Sequence, residues 1–206
     1  GDGNTAIGVK AMDANTVGDR NVAVGSDSLG AMNPATNADM YNVAVGYHAG
    51  LSVTTGIRNS ILGGQAADAL TDADENVAVG WKALSSDTKG GQSVAVGSQA
   101  LANQNFTTTT STYNTAVGYE AGKVITTGLN NVLIGGQAGD ALTDADFNVA
   151  LGTYALSGDT NGSQAVAIGH AALFTQNFTT ATTNYNVAVG SNSGNDITTG
   201  IQNTLI

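Results

Sequence analysis

Cysteine is absent from this 206-residue chain, and proline occurs once, at Pro34. Without cysteine there is neither a disulfide scaffold nor a thiolate metal centre. Charged residues are 11% and aromatics 5%, against roughly a quarter charged in an ordinary soluble domain. A bulky aromatic core is therefore unavailable. Low charge density and recurring valines argue against charge-driven disorder. No apolar run approaches the ~18 residues of a membrane-spanning helix, so direct membrane insertion is not expected. Six basic residues stand against sixteen acidic ones, a net charge of -10, which argues against nucleic acid as a partner. Glycine, in contrast, is abundant at 28 residues. A chain of small residues, β-branched residues and glycines suggests a repeat.

The string Asn-x-Ala-Val-Gly recurs from end to end. Its first positions are Asn4, Asn21, Asn42, Asn59, Asn76, Ser93, Asn114, Asn131, Asn148, Ala165, Asn186 and Asn203. One gap of twenty-one followed by three of seventeen closes a 72-residue super-repeat. Displaced by one such block, residues 42–113 and 114–185 are identical at 45 of 72 positions. The chain opens and closes part-way through this pattern, so residues 1–206 are expected to be a single repeat domain, a fragment of a longer array.

Within each motif the second and fourth residues are mostly β-branched, as in Val22/Val24, Val94/Val96 and Val132/Ile134. A spacing of two puts them on one face of a strand. The third residue points the other way and is Ala in nine of twelve motifs, the exceptions being Ile61, Leu133 and Leu205. We expect the valines to fill the interior and the alanines to form an outer face that another chain approaches. The fifth residue is always glycine, including Gly25, Gly46, Gly80, Gly118, Gly152 and Gly190, which marks a turn or a close backbone approach. Asn opens ten of the twelve motifs, which suggests a stacked ladder through Asn21, Asn42, Asn76, Asn114, Asn148 and Asn186. Seventeen residues are too few for a strand plus a crossover helix. Such units bury their apolar face by stacking on copies of themselves. The expected fold is an all-β parallel β-solenoid, a β-roll of about twelve coils, each seventeen or twenty-one residues long. Its exposed small-residue rows call for other copies around a closed symmetric axis, an obligate homo-oligomer.

Chemistry is sparse. His48 gives way to Glu120 and Asn192 in the following blocks, and His170 aligns with Ser98 and Ser26. Neither has a nucleophile partner, and no enzymatic activity or cofactor is expected. Trp81, the single tryptophan, aligns with Thr153 and Val9 and reads as surface variation. Asp72, Asp74, Asp144 and Asp146 carry alternating carboxylates that suit Ca²⁺ chemistry in type. They lack the glycine-rich calcium-roll signature, so solvated turns are the expected role and no metal is called. Each longer coil adds four residues, and the later two carry threonine-rich loops with Phe106 or Phe178, residues suited to packing on the coil or to contacting a partner. Thr-Thr-Gly turns at Thr54, Thr126 and Thr198 return once per block, which counts against an ice-binding surface.

The strings NVAVGSDSL, NVAVGYHAG and NTAVGYEAG resemble the YadA-like head repeats of trimeric autotransporter adhesins. They also resemble repeat arrays of phage tail fibres and bacterial surface fibres, and the resemblance spans essentially the whole chain. It implies a left-handed β-roll in which three chains form a homotrimer. It further implies an extracellular location, on a bacterial cell surface or a virion tail fibre. The implied task is that of a structural and adhesive segment serving attachment to a host, prey or surface, with a cell-surface glycan or protein receptor as the fibre's partner. The alternative class is an ice- or carbohydrate-binding β-solenoid. The coils of this chain are longer than the compact adhesin repeat, so loops protrude.

Overall fold

The computed structural model describes residues 1–206 and contains no helix. Twelve short strands, one per motif, form a single parallel sheet that runs from Thr5–Ile7 to Thr204–Leu205 in sequence order. Equivalent positions face one another throughout. Ala23 lies between Ala6 and Ala44, and Leu133 between Ala116 and Ala150. The chain is thus a parallel β-solenoid of about twelve coils, rising ~4.8 Å per coil.

The strands are three residues long at most, so the sheet alone does not hold the stack. Of 120 backbone hydrogen bonds, 25 lie wholly within the strands; many of the others extend the sheet at the strand ends or join a turn to the same turn one coil on. Leu84 N–H donates to Ala100 C=O at 3.0 Å, and Thr71 N–H to Thr88 C=O at 2.9 Å. The four extra residues of each longer coil leave room for a second, two-residue pairing. Gly18–Asp19 pairs with Ala38–Asp39, Gly90–Gly91 with Thr110–Ser111, and Gly162–Ser163 with Thr182–Thr183. These pairings recur once per block.

One expectation is reversed. The third residue of the motif, not the valines, faces the interior: Ala23, Ala44, Ala78, Ala95, Ala116, Ala150, Ala167 and Ala188 are fully buried. The valines on either side lie on the outer face and are half-buried or exposed. Period-two alternation establishes two faces but not which is inside. Here the coil is narrow. The space beneath each alanine is filled from the return segment by Leu29, Leu70, Leu84, Leu101, Ile125, Leu142, Leu156 or Leu173, all fully buried in one continuous core.

The exceptions to alanine follow from the same limited volume. Ile61 and Leu133 are inward and buried, and each faces a glycine of the preceding coil's return segment. A Cβ on Gly50 would lie 2.9 Å from Ile61 Cδ1, and one on Gly122 would lie 2.7 Å from Leu133 Cδ1. Large and small residues exchange places between neighbouring coils, so that the interior stays filled along the stack.

The motif glycines form a column of their own. Gly118 has a φ of 137°, a value that L side chains rarely adopt. A Cβ there would lie 2.4 Å from the carbonyl oxygen of Gly135 in the next coil. Close backbone stacking, in addition to the turn, requires glycine.

The interior exchange predicts coupling between Gly50 and Ile61. Gly50→Ala in the native background should cost more stability than Gly50→Ala in an Ile61→Ala background, by about 0.5–3 kcal/mol. Denaturant unfolding of the two single variants and the double variant measures this. Additive effects would contradict the packing described.

Candidate functional site

The asparagines at the head of the motif are buried, and each joins two coils. The Oδ1 of Asn42 accepts the backbone N–H of Asn59 (2.9 Å), that of Asn59 accepts from Asn76 (2.9 Å), and that of Asn131 accepts from Asn148 (3.0 Å). The Nδ2 of each regular asparagine donates to a carbonyl fourteen positions ahead, at the far corner of its own coil. Asn42 reaches Gly56, Asn76 reaches Gly90, Asn114 reaches Gly128 and Asn148 reaches Gly162, at 2.7–3.0 Å. One amide therefore satisfies a donor and an acceptor that water does not reach.

The departures from asparagine occur where this geometry fails. In the coils that begin at Asn21, Ser93 and Ala165, the residue fourteen ahead falls in the inserted loop, so that corner carbonyl is missing. The Nδ2 of Asn21 turns instead to Asp19 C=O at 2.8 Å, while its Oδ1 still accepts from Asn42 N–H. Asn186 is again regular at its Oδ1, which accepts from Asn203 N–H at 2.9 Å. Ser93 and Ala165 have no amide to place.

At each of the later two longer coils, a polar cluster shared with the preceding coil takes over the corner. Asp87 is fully buried with no cation beside it. Its Oδ1 accepts the N–H groups of Gly90 (2.9 Å) and Phe106 (3.1 Å), and Gln104 Nε2 donates to its Oδ2 at 2.5 Å. Gln104 Oε1 in turn accepts from Asn114 Nδ2 at 2.9 Å. Asp159, Gln176, Phe178 and Asn186 repeat the arrangement. Phe106 and Phe178 are 7% exposed and lie over Gly90 and Gly162, so both rings pack on their own chain. In the first block Asn15, Met32 and Pro34 stand at these positions, and Gly18 N–H donates to Asn15 Oδ1 at 2.8 Å. Sequence reasoning missed this cluster. The joint change of Asn15, Met32 and Pro34 to Asp, Gln and Phe was its signal.

Threonine forms a column that was also missed. Thr54, Thr71 and Thr88 stack on consecutive coils, as do Thr126, Thr143 and Thr160, with asparagines continuing the column at Asn33, Asn105 and Asn177. The expectation that threonine returns once per block followed the Thr-Thr-Gly phrase and overlooked its first position. The hydroxyls are engaged within the stack. Thr71 Oγ1 donates to Thr88 C=O at 3.0 Å, and Thr143 Oγ1 to Thr160 C=O at 3.1 Å. The column is one residue wide and ties coils together.

The four acidic calcium candidates do not converge. Asp74 and Asp146 each accept a backbone N–H of the preceding coil, from Ile57 at 2.8 Å and Leu129 at 2.7 Å. Asp72 accepts the Thr71 hydroxyl and lies 3.5 Å from Lys89 Nζ, and Asp144 accepts the Thr143 hydroxyl. No group of three or more His, Asp or Glu side chains forms anywhere on the chain. Electrostatic perturbation is modest and local. Burial raises the carboxyls of Asp68 and Asp140 above their ordinary range, and the Glu120 charge adds to the effect at Asp140. Lys123, 2.6 Å from Glu120, holds that carboxyl below its usual value. His48 stacks on Tyr47 with centroids 3.8 Å apart, and Trp81 is half exposed beside Lys82.

The outer face of the sheet forms a regular surface. Two columns of valine, isoleucine and leucine run along all twelve strands, relieved by Thr5, Ser60, Thr115 and Thr204. Val43, Leu62 and Leu151 are between 42% and 49% exposed, although stacking already shields their sides. Tyr41, Tyr113 and Tyr185 stand immediately before the motif at half exposure, each on a left-handed backbone with φ of 51–54°. No protein-family model, no curated protein and no solved structure matches the chain.

The ladder geometry predicts unequal responses to truncation at equivalent positions. Asn131→Ala strands the N–H of Asn148 and the carbonyl of Ala145, each costing about 1–3 kcal/mol. Ser93→Ala removes a hydroxyl bonded to Gln104 and Thr112. Both keep other partners, Asp87 and Gly91 C=O, so the change should cost about 1 kcal/mol. Thermal unfolding followed by circular dichroism separates the two. Equal losses would show that the amide does not bridge coils.

Proposed function

We propose that the chain is a structural and adhesive segment of a homotrimeric extracellular fibre, with no catalytic role of its own. The observation that carries this reading is the predominantly apolar outer face of the sheet, whose fourth motif position is Val, Ile or Leu in every coil. A patch that continues along twelve strands exceeds what scattered surface residues require, and contiguous apolar surfaces of this kind mark interaction sites. Its valines repeat once per coil, at ~4.8 Å. A surface that meets this spacing over the whole length needs the same rise, and another copy of the chain has it. Parallel, in-register copies around an axis bring valine column to valine column without a change of partner along the rod. The number three, the left-handed roll and the location outside the cell, on a bacterial surface or a virion tail fibre, rest on the resemblance of the Asn-x-Ala-Val-Gly motif to trimeric adhesin and fibre repeats. Attachment to a host, prey or surface, through a cell-surface glycan or protein receptor, is the task such a fibre serves.

The threonine column gives the ice-binding alternative little support, because its hydroxyls are committed to carbonyls and it is one residue wide. Strand propensity favours valine on either face, but it favours threonine as well and does not by itself exclude polar residues from an outward face. A sheet with one solvated face alternates apolar with polar residues.

The oligomeric state tests the proposal. Light scattering should give three times the 20.5 kDa chain mass, and the triple variant Val77→Lys/Val94→Lys/Val132→Lys should lower that mass while keeping its β-type circular dichroism. A monodisperse native monomer, or a lysine variant of unchanged mass, would overturn it.

A further inference from the structure

The third block departs from the second in a cluster of side chains that follow the corner glycines. Lys82, Ser98, Gln99, Ala102, Glu120 and Lys123 are replaced, one block on, by Tyr154, His170, Ala171, Phe174, Asn192 and Asn195. In the second block these positions hold the Glu120–Lys123 ion pair, and Gln99 Nε2 reaches Glu120 at 3.4 Å. In the third, loss of the Gln99 side chain opens a depression whose floor is the buried Ala171. Tyr154, His170 and Phe174 form aromatic walls, and Asn192 and Asn195 lie at the rim. The cavity is about 340 Å³, the lower end of the ~300–1,000 Å³ typical of small-molecule sites.

The walls are oriented. Tyr154 meets His170 at 86° and Phe174 at 89°, with centroids 6.1 and 6.3 Å apart, in edge-to-face arrangements. Tyr154 and Phe174 are 39% and 40% exposed, leaving apolar ring surface uncovered. The side-chain amides of Asn192 and Asn195 and both imidazole nitrogens of His170 make no hydrogen bond within the chain, although their backbones do.

We propose that this pocket binds a neutral pyranoside, at the size of one or two sugar rings. The electron-rich face of an aromatic ring attracts the polarised C–H groups on one side of a pyranose. A primary amide offers a donor and an acceptor together, which suits a pair of adjacent hydroxyls. No lysine or arginine lines the pocket, and the chain carries a net charge of -10. Sialylated, sulfated and phosphorylated saccharides therefore lack a counter-charge here. The pocket lies within one chain, spanning three of its coils, so the inference stands apart from the trimeric assembly.

Calorimetric titration of the intact chain with neutral methyl hexosides and disaccharides, and with sialyllactose as a charged control, tests the proposal. At least one neutral sugar should bind with a dissociation constant of about 1–10 mM, as a shallow site with few contacts allows. Sialyllactose should not bind better than lactose. Ala171→Gln restores the side chain of the preceding block, where Gln99 adopts the same left-handed backbone (φ 60° against 52°), so the variant should fold normally. It should weaken binding about tenfold or more with an unchanged Tm, and Phe174→Ala should weaken it similarly. Absence of neutral-sugar binding at 50-fold excess over ~1 mM, or binding that Ala171→Gln leaves intact, would overturn the proposal. A trimer that binds no sugar would remove the pocket and leave the fibre reading standing. A monomer that binds sugar would do the opposite.

Discussion

Every coil must present to the next one a backbone outline that it can hydrogen-bond at a fixed spacing of ~4.8 Å. This constraint acts at the corners as well as in the sheet, since turns such as Leu84 and Thr71 also bond to the next coil. The outline is locally costly. Twenty-nine non-glycine residues hold a left-handed backbone, a conformation disfavoured by roughly 1–2 kcal/mol for ordinary residues. Neighbouring coils supply what local preference does not. Glycine stands where backbones touch, alanine where the interior is thinnest, and asparagine where one side chain must serve two coils.

The four-residue insertion shows how strict the constraint is. It removes the corner carbonyl that the asparagine amide needs, and the sequence answers by dropping asparagine at Ser93 and Ala165. The orphaned region is resupplied from the interior by Asp87 with Gln104, and by Asp159 with Gln176. Two buried carboxylates without a cation are accommodated because backbone N–H groups and a glutamine amide point at each. Phe106 and Phe178 close the same corner. The apparent irregularities of the repeat are therefore one local repair, made twice.

Much of this was legible in the sequence. The strand in each motif, the parallel register, about twelve coils and the glycine turns follow from counting, because periodicity reports backbone geometry directly. The short pairings beside the longer coils do not, and the return segments form turns where a short strand was expected. The identity of the inner face did not follow. Valine signals a strand on either side of a sheet, and only the cross-section of the coil, filled by residues such as Leu84 and Leu101, determines that alanine goes inside. The threonine column was hidden because its members sit in dissimilar phrases, Thr54 before Thr-Gly and Thr71 before Asp-Ala. The Tyr154 pocket was hidden because its residues come from three coils and stand out only when compared with the preceding block.

Reversal of the two faces strengthens the functional reading. Alanine rows would have offered a weak, shallow contact, whereas outward valine, isoleucine and leucine offer continuous apolar surface matched to another copy of itself. The account stands or falls on where that surface points in solution. The most direct measurement uses the absence of native cysteine: single spin labels at Val24→Cys, Val96→Cys and Val189→Cys, with interchain distances read by pulsed dipolar spectroscopy. The account predicts one short distance, the same at all three levels of the rod. Absence of dipolar coupling, or a distance that changes steadily from Val24 to Val189, would contradict it.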